Sequence, residues 1–443
     1  MASIVIGMLV VSMDTTIIQT TMPVIAETLG GLELYAWTFA SYMICSTVLA
    51  PIAGRLADLF GRKRVYAVGI ILFMIGSVLC GLAETMLQLV IFRAMQGIGA
   101  GVMLPFPMII AGDLFSVEKR GQIQAAFTAM WGLAAILAPL LGSLFVEFAT
   151  WRWIFYINIP IGLATILLLI PYKEAYQPKR AKVDWAGALI FSIGITLLLL
   201  ITVVDSMQWV FALAGVLLLV LFYYYERRHV SPIVPLNLLR NKPVAWININ
   251  LLVIYTAMFG APSYLPRFLQ EGGYSVFMSG LALLGMSFGW MAVSVPAGKW
   301  ILRFGYRRLI LIANAQVLVS ALWLMLIRDE SGFLYVFFST VLLGLGFGML
   351  STVTVIGSQQ LVGPHERGFS TSFTTFTRNI GTAVGVTIMG AILERAGGTI
   401  DGYRFMFYFG AALAAVGFLT SLKIRDRSEQ EAGGTVNSLI ERA

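Results

Sequence analysis

Fourteen apolar stretches, each near the length of a membrane-spanning helix, follow one another along the 443 residues and leave little chain for anything else. They fall at 4–26, 36–56, 65–84, 86–111, 122–147, 154–171, 185–204, 209–225, 244–269, 276–298, 308–327, 333–357, 369–393 and 404–422. A helix rises about 1.5 Å per residue, so roughly 20 residues cross a hydrocarbon core of about 30 Å. Backbone groups there find no water, and only helices or closed barrels satisfy them internally. The stretches lack the period-two alternation of a barrel strand. The expected fold class is therefore all-α, a membrane protein of 14 transmembrane helices. With 58% hydrophobic and 12% charged residues, the chain cannot cover a core with a wet surface. A cleaved leader is the rival reading of the first stretch, but there is no basic segment ahead of it and Asp14 interrupts it, so a retained helix is expected.

A net charge of +8 raises the question of nucleic acid, which the placement of the charges answers. Alternate loops and the C-terminal tail hold 23 of the 30 Lys and Arg, and the opposite loops hold five: Arg152, Arg267, Arg328, Arg395 and Arg404. Arg93 and Arg378 lie inside apolar stretches. This is the positive-inside asymmetry; it predicts a cell (cytoplasmic) membrane protein with both termini cytoplasmic and no nucleic-acid partner. Cys45 and Cys80 read as small hydrophobes, and His229 and His365 have no neighbours at metal-ligand spacing. No metal or cofactor is expected, and no nucleophile–base pair suggests an enzyme.

The chain also repeats itself. "GRLADLFGRKRV" from Gly54 is matched by "GKWILRFGYRRL" from Gly298, and "EKRGQIQAAFTAMWG" from Glu118 by "HERGFSTSFTTFTRN" from His365. In the second pair Trp131 aligns with Arg378. Two matches in one order predict homologous six-helix halves at 1–172 and 244–424. Between them lie two inserted helices with basic flanking loops at 173–243, and a cytoplasmic tail follows at 425–443. Parallel repeats around a central cavity are an architecture of transporters that rock one half against the other.

Four stretches carry a family resemblance in the right order and spacing: "MDTTIIQTTMP" from Met13, "GRLADLFGRKR" from Gly54, "RAMQGIGAG" from Arg93 and "WRWIFYINIPIG" from Trp151. Over nearly its whole length the chain resembles the fourteen-helix drug/proton antiporters of the major facilitator superfamily. The resemblance implies two six-helix bundles plus two inserted helices. It further implies a cytoplasmic latch of Gly54, Asp58, Gly61, Arg62, Asp113 and Gly368, with Asp58 capping the helix that starts near Gly368 and Arg62 meeting Asp113. The bare reading of this loop is a positive-inside anchor. A glycine–proline helix-packing motif is implied at Gly132, Pro139 and Gly142, departing from the family pattern at Ala138 and Ser143; in the family it accompanies export.

Three ionisable residues lie deep in the apolar stretches. Asp14 stands about ten residues into the first, near mid-membrane, where an ionised carboxylate costs at least a few kcal/mol on insertion scales. Burial favours its neutral form and a nearby cation its charged form, so it reads as a proton-coupling group or as a fixed ion pair. For Arg93 the resemblance implies a role in proton transfer, against snorkelling to the interface. Arg378 has no deep acid in its own half and reads equally as structural or substrate-facing. Polar and aromatic residues at mid-depth, Gln19, Tyr42, Gln96, Trp131, Asn248, Asn250, Tyr255, Asn314 and Gln316, together with Arg378, are candidate substrate contacts, although aromatics are more often packing. Aromatics around one carboxylate suit a lipophilic cation.

The expectation is a monomeric, proton-coupled exporter of small amphipathic, monocationic compounds, driven by the proton gradient without a cofactor. Its partners are its substrate, protons and the lipid bilayer. The alternatives keep the fold and change the cargo to an endogenous metabolite, a lipid, a siderophore, or tetracycline and metal exchanged for protons.

Overall fold

The computed structural model describes residues 2–30, 34–172, 174, 184–201, 204, 207–229, 241–274, 276–363, 366–396 and 399–424. His365, most of the two basic flanking segments and the tail from 425 lie outside the described residues, as do the side chains of some helical positions, Gln19 and Pro139 among them.

Among the described residues the chain is helical, with no strand, as hydrocarbon demands. The helices are α1 Ala2–Leu29, α2 Tyr35–Phe60, α3 Arg62–Gly81, α4 Met86–Met103, α5 Phe106–Leu114, α6 Val117–Phe148, α7 Trp153–Tyr156 and α8 Asn158–Leu169. The pair expected from the sequence to be inserted is α9 Trp185–Leu200 and α10 Gln208–Glu226. Then come α11 Lys242–Met258, α12 Leu265–Glu271, α13 Val276–Met325, α14 Phe333–Gln360, α15 Arg367–Arg395 and α16 Ile400–Ser421. Nine described helical stretches are long and apolar enough to cross a membrane, with α13 counted once, and Ala2–Ile18, Trp153–Leu169 and Trp185–Leu200 are shorter. The fourteen expected stretches thus do not map one to one onto these helices.

Two expected loops turn out to be single-residue breaks. α2 runs through Asp58 to Phe60, and α3 restarts at Arg62, because Gly61 alone leaves helical geometry at φ 98°, ψ 148°. α13 likewise continues through the expected loop at 298–308 and breaks only at Gly305, φ 75°, ψ 164°. A residue with a Cβ is strained at positive φ, so glycine is what lets the chain bend here without a loop. Gly61 and Gly305 occupy the same position in the first pair of repeated segments. Gly61 is also crowded, since a Cβ there would come within 2.5 Å of Glu174 Oε2. The expected span at 86–111 is divided as well, with Pro105, which lacks an N–H, between α4 and α5.

The chain forms two compact units. One holds the described residues of Met1–Leu114, Ala126–Leu236 and Pro364–Phe376, the other those of Phe115–Ala125, Asn237–Gly363 and Thr377–Ala443. α6 and α15 thus give their first turns to one unit and the remainder to the other. A core of the first unit packs Ile17, Met22 and Ile25 of α1 against Cys80, Leu89, Trp151 and Phe155. In the second unit Leu251, Ile254 and Met258 of α11 pack with Leu343, Phe347 and Leu350 of α14.

Candidate functional site: a buried carboxylate and its cage

The glycines of α4 determine what can surround Asp14. A Cβ on Gly97 would stand 2.5 Å from the Tyr42 carbonyl oxygen, and one on Gly76 of α3 would stand 2.6 Å from the Gln96 backbone. α4 can therefore lie close to both α2 and α3, which brings Arg93 and Gln96 to the carboxylate on α1.

Asp14 is 1% exposed, and three side chains donate to it. Arg93 Nη1 reaches Oδ2 at 2.7 Å. Gln96 Nε2 and Asn158 Nδ2 reach Oδ1 at 2.7 and 3.0 Å. Both amides also donate to Ser77 Oγ, at 2.7 and 3.1 Å. The Gln96 carbonyl accepts from Arg93 Nη1 at 2.6 Å, and the Cys80 thiol lies 3.7 Å from the same oxygen. The Arg93 guanidinium carbon sits 4.1 Å from the centroid of the Tyr42 ring, while Arg93 Nε has no hydrogen-bond partner. Arg93 is itself 1% exposed and turned inward, so it does not snorkel. A buried ion pair held by this many hydrogen bonds meets the condition under which charge is tolerated without water.

A second charged group stands where α2 gives way to α3. Arg62, fully buried, donates from Nε to Asp113 Oδ2 at 2.8 Å, pairs with Asp58 Oδ1 at 2.9 Å and donates to the Ala57 carbonyl at 3.2 Å. Asp58 accepts from the backbone N–H groups of Gly368 and Phe369, at 3.1 and 2.9 Å, at the start of α15. The carboxylate thus caps a helix N-terminus, where anions are favoured. A Cβ on Gly368 would collide with Asp58 at 2.5 Å, and one on Gly54 would meet the Gly368 carbonyl at the same distance, so both glycines permit the approach. Glu174 accepts from the Lys63 N–H at 2.8 Å, at the first turn of α3. Beside it, burial pushes the Tyr172 phenol up to about 12, with the charges of Asp113 and Glu174 adding to the rise, so it stays neutral.

The other sequence-predicted residues divide. Trp131 is 39% exposed on α6. Asn250 and Asn314 bond each other at 3.2 Å, and Asn250 also donates to the Gly417 carbonyl at 2.7 Å, so this pair ties α11 to α13 and α16. Asn248 donates to the Val244 carbonyl and accepts from Thr377 at 3.2 Å. Gln316 is half-buried with no partner for Oε1. Arg378 donates from Nη1 to Ser351 Oγ at 3.0 Å, and its guanidinium carbon lies 5.9 Å from the centroid of the Tyr255 ring. Gly142 is buried, and among the described residues nothing lies within 4 Å of a Cβ built on Gly132. Sequence reasoning missed Asn158 and Ser77. A polar amide in an apolar stretch was the available signal for Asn158, while nothing set the Ser77 hydroxyl apart.

The chain matches the sequence model of the Major Facilitator Superfamily over residues 4–295 and 274–438. It is 33% identical over 432 residues to the multidrug transporter protein MdtP of Bacillus subtilis (strain 168), a match covering 95% of this chain and 80% of that one. Multidrug resistance protein 3 of the same organism is 34% identical over 397 residues, covering 87% and 78%. Multidrug efflux pump SdrM of Staphylococcus aureus (strain N315) is 29% identical over 395 residues, covering 88% of each. Among solved structures, the human organic anion transporter MFSD10 (TETRAN) superposes with a TM-score of 0.70 at 16% identity, over 95% of this chain and 98% of that one. The proton:xylose symporter XylE bound to 6-bromo-6-deoxy-D-glucose gives 0.68 at 15% identity, over 96% and 95%. At such identities the likeness is one of fold.

Proposed function

This chain belongs to the major facilitator superfamily as a multi-pass membrane protein, and from that premise we propose that it exports small amphipathic, monocationic compounds in exchange for protons. The observation that carries the reading is the cage around Asp14, a carboxylate 1% exposed and held by Arg93, Gln96 and Asn158. Unprotonated, Asp14 balances the Arg93 cation. A proton arriving on Asp14 cancels that balance and leaves Arg93 with the Gln96 carbonyl and the Tyr42 ring. The two protonation states therefore favour different arrangements of α1 and α4, which is what coupling a proton to a conformational change requires. The multidrug transporter and efflux-pump names of the relatives support export of drug-like cargo.

In this reading the Asp58–Arg62–Asp113 group is a cytoplasmic latch. The carboxylate at the start of α15 biases the cycle by a modest free energy, sufficient to shift a two-state balance without freezing it. Both termini are cytoplasmic, the working unit is a monomer, and the proton gradient is the energy source. The test is efflux of ethidium from proteoliposomes holding the purified chain, with and without an imposed pH gradient. Gradient-driven efflux supports the reading. Its absence across a panel of cationic and neutral drugs removes it.

A further inference from the structure

Arg93 of the first unit and Arg378 of the second differ in their surroundings. Arg93 has a carboxylate 2.7 Å away, whereas Arg378, half-buried in α15, has among the described residues only neutral partners: the Ser351 hydroxyl and the face of Tyr255. Along α15 the nearest following acid is Glu394, about 24 Å away at the rise of a helix. Other acids of this unit are engaged elsewhere, Glu271 with Arg267 and Tyr403, and Asp401 with Arg404.

What surrounds Arg378 is aromatic and rich in donors. Tyr255 stacks on Phe259 at 4.8 Å, both rings lie edge-on to Phe347 at 5.0 and 5.1 Å, and Phe259 meets Trp290 edge-on at 6.5 Å. Two polar atoms in this group are buried and without a hydrogen-bond partner among the described residues, Arg378 Nε and Trp290 Nε1, and the hydroxyl of Tyr255, a side chain 2% exposed, lies beside Arg378 and Ser351. Arg378, Trp290 and Phe259 keep partial exposure, so the group is not sealed. Both unsatisfied atoms can only donate, while the Tyr255 hydroxyl can donate or accept. Unmet donors beside an uncompensated cation in a membrane interior are expensive, and an arriving acceptor with negative charge relieves both costs.

We propose that Arg378, Ser351, Tyr255 and Trp290 form a binding site for the carboxylate of an aromatic organic anion, whose ring lies against Phe259 and Phe347. The proposal rests on the reading of this chain as a small-molecule transporter and extends its cargo to compounds that carry an acid group. Arg378 supplies the charge, while Tyr255 and Trp290 supply further donors.

The test is equilibrium binding of naphthoate and its neutral near-isostere naphthamide to the purified full chain in detergent, with no pH gradient. The expected result is a preference for naphthoate of at least about tenfold, as suits hydrogen bonds to a charged group. Arg378→Gln should abolish that preference and Arg378→Lys keep part of it. Trp290→Phe, which preserves the ring packing, should weaken naphthoate binding alone. Equal binding of the two probes by the unaltered chain, or full naphthoate binding by Arg378→Gln, overturns the proposal. Should Arg378→Gln fail to fold, the unaltered chain and Trp290→Phe still decide. Ethidium efflux with no naphthoate preference removes this site and keeps the export reading; naphthoate preference without any efflux does the reverse.

Discussion

Asn158 and Asp14 are joined by a 3.0 Å hydrogen bond that spans 144 positions of sequence. The same amide reaches Ser77 at 3.1 Å, so one side chain on α8 helps hold the carboxylate of α1 and the hydroxyl of α3 together. Asn158→Ala removes a donor from a charged acceptor and leaves the Ser77 hydroxyl one contact fewer. A loss of about 1.5–3 kcal/mol is typical of hydrogen bonds to charged groups. Gradient-driven ethidium efflux should fall at least about tenfold, while Asn158→Asp, which adds a second acid to the cage, should fall further. Efflux at the unaltered rate in Asn158→Ala would show that the amide only packs.

Asp14→Asn keeps the shape of the side chain and removes its charge. Arg93 then loses the carboxylate paired with it, and on the proposed reading exchange for protons loses its carrier. Efflux driven by a pH gradient is expected to disappear, while the purified variant keeps its helix content by circular dichroism and its elution position in detergent. Wild-type coupling by this variant would refute the assignment.

Asp58→Asn tests the latch. The carboxylate accepts from two backbone N–H groups and pairs with Arg62, and an amide can satisfy only part of this while bringing donors toward donors. Transport should slow by about tenfold, given the usual worth of such charged hydrogen bonds. Ethidium affinity, measured separately by fluorescence, should stay within about twofold, because the group lies at the end of α2, away from the Asp14 cage. An unchanged rate would leave Asp58 an anchoring role only.

Gly61→Ala and Gly305→Ala test the breaks. Both positions sit at positive φ with ψ near extended values, a region essentially confined to glycine, where another residue costs on the order of 1–3 kcal/mol. Both variants should melt earlier than the parent in detergent. Gly61→Ala should be the worse of the two, because its new methyl also meets the Glu174 carboxylate. Equal melting of parent and variants would mean that the backbone relaxes at no cost.

The all-helical fold was legible because hydrocarbon leaves the backbone one means of satisfying itself in an open chain, and apolar length records it directly. The family was legible from four motifs. Asp14 and Arg93 stood out as charges in apolar stretches, and the structure pairs them beside the close approaches of α4 to α2 and α3 that Gly97 and Gly76 permit. Asn158 and Ser77 were not identified, because an amide or hydroxyl in a helix carries no mark of which way it points. Asn250 and Asn314 carried the same polar signal as a ligand contact yet bond each other, since two facing amides satisfy one another as well as any substrate would. The loops expected around Gly61 and Gly305 were overdrawn for a related reason. Charge density suggests solvent, but a single glycine can bend a helix without unwinding the charged turns on either side.

The matched bends at Gly61 and Gly305 separate two features of one repeated sequence motif. The backbone bends at glycine in both segments, while the acid is present only in the first, where Asp58 stands opposite Leu302 of the second. A pattern search demanding the acid will therefore find one copy and overlook its twin. A search built on glycine followed by paired basic residues finds both, and so detects the repeat from a bend that keeps its shape where the acid is missing.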